Sequence, residues 1–83
     1  MQKFFVYIIY SPSKDRYYVG QTQDLEKRLQ DHCNSRSGFT KSVKDWKLVY
    51  FEEFETRSES VQREVEIKKK KSRKYIEYLI AKA

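Results

Sequence analysis

Eighty-three residues with 18 Lys or Arg against 12 Asp or Glu carry a formal charge of +6. That length holds one domain, read as residues 1–83, with a small core, because a chain this short buries only about 60 % of its unfolded surface. Seven Tyr, five Phe and one Trp are too many aromatics for a disordered chain. No apolar run approaches the roughly 18 residues of a membrane span, and no small-residue cleavage site follows the first apolar segment. The single cysteine, Cys33, excludes a disulfide framework and a cysteine-based zinc site. The expectation is a soluble, compact, cytoplasmic protein with no membrane partner.

Residues 3–10, Lys-Phe-Phe-Val-Tyr-Ile-Ile-Tyr, are almost all β-branched or aromatic and predict a strand covered on both faces. Ser11-Pro-Ser-Lys-Asp15 is turn chemistry, and Arg16–Gln21 returns as the second strand of a hairpin. A tight turn centred between Pro12 and Ser13 pairs Tyr7 with Tyr18, whereas slipping the register by one puts them on opposite faces. Thr22 or Asp24 caps a helix running to about Asn34, and Ser35–Thr40 is a loop. Trp46–Phe54 is a third strand. Thr56-Arg-Ser-Glu59 is a capping box in which each side chain reaches the other's backbone N–H. From it a helix runs to about Lys71, and a last one spans Ser72 to about Lys82 with Ile76, Leu79 and Ile80 inward; the pair reads equally as two helices or one bent rod. The order ββαβαα predicts an α+β fold, a three-stranded, mostly antiparallel sheet flanked by helices.

Charge is concentrated at one end. Residues 1–60 are net +1 and residues 61–83 net +5. Lys68, Lys69, Lys70, Lys71, Arg73 and Lys74 supply most of it, either as a face for a polyanion or as a solvated helix face. Within the helices the ionisable residues fall on the apolar side. On a wheel of 100° per residue, Leu25 and Leu29 define one stripe, with Arg28 near 300° and His32 near 340°. In the second long helix Val61 and Val65 take the apolar places, and Glu64 and Lys68 repeat the pattern. Charges aimed at a protein body need partners, so these groups meet each other, a metal, a ligand or a water-filled cleft. The bland alternatives are a half-buried Arg28–Glu64 ion pair, a lysine that snorkels, and Cys33 as a small core residue.

Val6-Tyr7-Ile8, followed after ten residues by Tyr18-Val19-Gly20, resembles the paired tripeptides of the GIY-YIG nuclease superfamily. Gln21-Thr22-Gln-Asp24-Leu25-Glu-Lys-Arg28-Leu29 is similar to that family's helix, with its arginine eight residues past the glycine. His32 follows, and Arg63-Glu64 resembles the second-helix glutamate. The resemblance covers residues 4–80 and is closest to small stand-alone members. Phe5 stands where the first tripeptide has glycine, Gln21 where repair-type members carry lysine, and Ile76 where several have asparagine.

The resemblance implies a divalent-metal-dependent endonuclease hydrolysing DNA phosphodiester bonds, structure- or damage-selective and linked to repair or recombination. It makes Tyr7, Tyr18, Arg28, His32 and Glu64 the catalytic set. Glu64 holds a single Mg²⁺ or Mn²⁺ largely through waters, and Arg28 clamps a phosphate oxygen. One tyrosine, with Tyr7 favoured, deprotonates the attacking water, and His32 helps remove the tyrosine's proton. Gln21 and the Lys68–Lys74 run contact DNA. The departures from the pattern predict modest intrinsic activity or a protein partner that supplies specificity. The alternative is a nucleic-acid-binding module of the same fold that cuts poorly, with an adaptor role behind it.

Overall fold

Seven consecutive β-branched or aromatic side chains, Phe4 to Tyr10, and Ser11 form β1, Phe4–Ser11, and this strand becomes the centre of the sheet. The structure, a computed structural model, describes residues 3–33 and 44–82. The helix end expected at Asn34 and the loop expected over Ser35–Thr40 lie outside the described residues. The other elements are β2 (Arg16–Thr22), α1 (Leu25–Cys33), β3 (Lys47–Phe54), α2 (Arg57–Lys70) and α3 (Arg73–Lys82). The order ββαβαα is therefore observed, and the sheet β2-β1-β3 is antiparallel at both pairings.

The central strand is covered on both faces, as its composition demands. Val6 and Ile8 meet Val19 together with Ile67 of α2 and Leu79 of α3. Tyr7 and Ile9 point the other way, to Trp46 and the partly buried Tyr18, Leu25, Leu29 and Cys33. The molecule is thus three layers, with α1 on one face of the sheet and the α2–α3 pair on the other. Cys33 is a half-buried part of the α1 layer, its Sγ donating to the Trp46 carbonyl at 3.4 Å. No described helix is long and apolar enough to cross a membrane.

The hairpin differs from the tight turn. Four residues separate Ser11 from its partner Arg16, and the register pairs Tyr7 with Gly20 and Tyr18 with Ile9. The slip relative to the tight turn is two residues, so side-chain parity survives and both tyrosines stay on one face as diagonal neighbours. The turn closes with Asp15 at φ 51°, held by a 2.6 Å bond from Tyr10 Oη and by Arg73 Nη2, also at 2.6 Å. Asp and Asn tolerate this left-handed conformation better than bulkier residues.

Helix ends follow their caps. Asp24 Oδ1 accepts from Lys27 N at 3.1 Å to start α1, and Thr56 Oγ1 accepts from Glu59 N at 3.2 Å to start α2. The capping box closes only half as expected, because the Glu59 carboxylate takes the Thr56 hydroxyl at 3.0 Å. Lys71 sits at φ 49°, ψ 36°, its N–H returning to the Lys68 carbonyl, and Ser72 Oγ caps α3 by accepting from Tyr75 N. The last two helices are therefore separate, broken at a left-handed lysine.

The stripe expected on α2 needs correction. Val61 is 38 % and Val65 56 % exposed, whereas Ser60 and Ile67 are buried. A helix with few large apolar residues approaches a sheet closely through a small one, and Ser60 supplies that contact. Turning the helix this way also puts Glu64, on the seam between Ser60 and Ile67, inward. Leu79 is buried as expected, with Ile76 packed beside it.

Candidate active site

Tyr7 is buried in the middle of the sheet, yet its hydroxyl reaches the outer strand, because the residue beneath its ring is Gly20. A Cβ at position 20 would stand 2.5 Å from Tyr7 Oη and 2.7 Å from its Cζ. The missing side chain is what lets the phenol lie across β2.

Three other predicted residues converge on that hydroxyl. His32, fully buried on the last turn of α1, places Nε2 2.9 Å from Tyr7 Oη. Arg28, one turn earlier, donates from Nε to the same oxygen at 3.4 Å. The charge of Glu64 acts on the Tyr7 hydroxyl from α2, opposing the effect of Arg28. Tyr18 completes the cluster, its ring centre 4.9 Å from that of His32 and 6.5 Å from that of Tyr7. The i, i+4 spacing of Arg28 and His32 aims both at one atom, as the helical wheel requires. Arg28 makes no ion pair among the described residues, so the alternative of an Arg28–Glu64 ion pair gives way to a shared neighbour, Tyr7.

Burial sets the protonation states. Desolvation pushes the Tyr7 phenol up to about 12, with the nearby Arg28 guanidinium only partly offsetting it. Burial also holds His32 down at about 4, reinforced by the positive charge of Arg28. At neutral pH the centre is therefore a protonated phenol against a neutral imidazole. Arg28 itself is held above its ordinary value by its bond to Tyr7.

Glu64 is the carboxylate of the site, 20 % exposed, with Oε2 accepting from Lys68 Nζ at 2.7 Å. Among the described residues no three His, Cys, Asp or Glu side chains cluster as a metal cage. A single hard oxygen donor with access to water fits Mg²⁺ or Mn²⁺, which keep most of their waters and bind through one or two carboxylates plus substrate phosphate.

The expected nucleic-acid contacts divide into three groups. Lys69, Lys70, Lys71 and Lys74 are exposed. Arg73 is committed elsewhere, bonded to Asp15 and Glu77 and lying 5.1 Å over the Tyr17 ring, where it ties the hairpin to α3. Gln21 lines a depression of about 450 Å³ with Arg28, Asp24 and Arg57, and its Oε1 is buried without a partner among the described residues. A larger groove of about 620 Å³ runs along β2, with Arg16, Lys68 and Lys71 beside Tyr18 and a floor that includes Val19 and Ile67.

Two contributors escaped the sequence reading. Trp46 walls the cluster, its ring centre 6.3 Å from that of His32 and 6.4 Å from that of Tyr18; its being the chain's only tryptophan was the available signal. Arg57 joins the Gln21–Arg28 depression, and its place as first residue of α2 after the cap was the clue.

A family model described as the GIY-YIG catalytic domain matches residues 3–76. The chain belongs to the GIY-YIG domain family, a family of nucleases. A UPF0213 protein of Staphylococcus saprophyticus is 41 % identical over 70 residues, 82 % of this chain and 83 % of the relative. One from Syntrophus aciditrophicus is 41 % identical over 71 residues, covering 83 % and 80 %. The solution NMR structure of a UPF0213 protein from Bacillus halodurans aligns with TM-score 0.59 and 26 % identity, over 95 % of this chain and 83 % of that one.

Proposed function

We propose that the chain is an endonuclease that hydrolyses DNA phosphodiester bonds with one divalent ion, Mg²⁺ or Mn²⁺, at Glu64. The observation that carries this reading is one phenol hydroxyl, Tyr7, bonded to both a guanidinium and a neutral imidazole while a carboxylate charge acts on it. A site that only binds phosphate has no use for a carboxylate beside the anion.

Tyr7 held near pKa 12 is a phenol at neutral pH and cannot act as a standing base. A relay resolves this. With Nε2 of neutral His32 unprotonated, the Tyr7 O–H donates to it. As water attacks, its proton passes to Tyr7 Oη while the phenol's own proton passes to His32 Nε2. The water oxygen bonds to phosphorus, and the bond to the 3′ oxygen breaks, that oxygen leaving with the bonding pair and taking a proton from solvent. Arg28, whose Nε holds Tyr7 Oη, has its remaining N–H groups for a non-bridging phosphate oxygen. Tyr18, beside both Tyr7 and His32, orients the water or the phosphate. Glu64 would hold the divalent ion, which would supply positive charge against the phosphate and the departing oxygen. The exposed lysines hold backbone phosphates, and with no base-reading element among the described residues selectivity rests on DNA structure or damage, as repair or recombination substrates offer.

The test is cleavage of supercoiled, branched and flapped DNA with Mg²⁺ or Mn²⁺ by wild type, Glu64→Gln and Arg28→Ala. Each substitution lowers the rate by about two orders of magnitude or more. Equal nicking by wild type and Glu64→Gln rejects the enzyme. Tight binding with no cutting by any of the three assigns the chain instead to a nucleic-acid-binding module.

A further inference from the structure

The contact between Lys68 and Glu64 is more than a pair on a helix surface. Glu64 lies on the inward seam of α2, and the ammonium one turn on reaches back to its Oε2 at 2.7 Å with the lysine side chain 49 % exposed. The same ammonium stands 5.7 Å from the Tyr18 ring centre, and Lys68 forms part of the groove along β2 with Arg16 and Lys71. One flexible cation thus touches the carboxylate, the tyrosine and the groove.

We propose that Lys68 is the resident counter-ion of Glu64, holding the carboxylate until a divalent cation displaces it and then turning to a substrate phosphate in the groove along β2. The inference rests on the nuclease reading. It follows from competition: the carboxylate oxygen that Lys68 occupies is an oxygen the ion uses, and a half-exposed lysine on a four-carbon stem is free to leave. Ion and polyanion are then coupled through one side chain, since the ion releases a cation to the phosphate and the phosphate draws that cation off the carboxylate. Such coupling is reciprocal.

Titration of Mn²⁺ against the protein without DNA, read by paramagnetic broadening of backbone amide NMR signals in α2, tests the first half. Lys68→Gln binds Mn²⁺ about three- to fivefold more tightly than wild type, the upper end of what an exposed ion pair is worth. Lys68→Arg restores wild-type affinity, and Lys47→Gln, an exposed β3 lysine with the same loss of charge, leaves it within twofold of wild type, as about 0.4 kcal/mol allows. Binding of a fluorescent oligonucleotide in Ca²⁺ tests the second half: the tightening that Ca²⁺ produces is smaller in Lys68→Gln than in wild type. Unchanged or weaker Mn²⁺ binding in Lys68→Gln, with binding weakened by Glu64→Gln, overturns the role of Lys68 and leaves the nuclease reading intact. Equal Mn²⁺ affinity in wild type and Glu64→Gln removes the carboxylate as the ion's seat and overturns both.

Discussion

Tyr7 gathers the candidate site because its neighbour across the strand pair has no side chain. The phenol occupies the volume where a Cβ at Gly20 would stand, 2.5 Å from Oη. In Gly20→Ala the ring must shift, and the shift moves Oη off both Arg28 and His32. Overpacking of this kind costs about 1–3 kcal/mol, so thermal melts show a destabilised but folded protein whose cleavage falls far more than its stability. Near-normal activity in a folded Gly20→Ala separates Tyr7 from the chemistry. His32 gives a second prediction. It titrates near 6.5 in the unfolded chain and near 4 in the folded one. Between those values the unfolded chain binds more protons, so His32 contributes stability that is fully present above about 6.5 and is lost as pH falls toward 4. The melting temperature of wild type therefore drops more steeply across that window than that of His32→Gln, measured side by side.

Among the elements, α2 decides most about the site, and its rotation is where periodicity alone misled. Val61 and Val65 form the more obvious apolar pair, but they face out, and the helix meets the sheet through Ser60 and Ile67. The reason is close approach. Ser60, fully buried, bonds its own helix through Oγ to the Arg57 carbonyl at 2.7 Å and leaves room for the sheet. Ser60→Leu accordingly lowers stability by about 1–3 kcal/mol through overpacking, while Val65→Ser changes it by no more than about 0.5 kcal/mol. Denaturant unfolding of the two variants checks the helix orientation, and the reverse ranking restores the Val61–Val65 stripe. The left-handed break at Lys71 ends α2, and Lys68 and Lys71 flank the groove from that end of the helix.

At the scale of the whole molecule, basic residues divide into those that hold the fold and those left for a polyanion. Arg63 belongs to the first group: it grips Glu52 at 2.9 and 3.0 Å, Glu66 at 2.7 Å and Tyr75 at 3.1 Å, joining β3, α2 and α3. With side chains of Arg63 and Glu52 only 19 % and 23 % exposed, Arg63→Met strands a carboxylate and costs about 2–3 kcal/mol. The exposed Lys69, Lys70 and Lys74 belong to the second, although the Lys70 ammonium also stands 5.4 Å from the Tyr75 ring centre. Neutralising all three lowers the salt slope of DNA binding by about 0.9 for each phosphate no longer neutralised, with little change in stability. Fluorescence binding across a salt series distinguishes the groups, and a slope unmoved by the triple variant places the DNA elsewhere.

The element order, the buried central strand and the helix caps were legible in sequence because they rest on local chemistry. A β-branched run, an Asp or Thr before a helix, and turn residues all act over a few positions. Arg28 and His32 were legible for the same reason, being one turn apart on one helix. What only the tertiary structure decided needed two segments at once. The four-residue turn set Tyr7 against Gly20 rather than Tyr18, and Ser60 rather than the valines chose the face of α2. Long-range packing also decided which cations were free: Arg73 went to Asp15, 58 residues away in sequence. Side-chain pairing depends on register and helix rotation, and neither is encoded within any one stretch of chain.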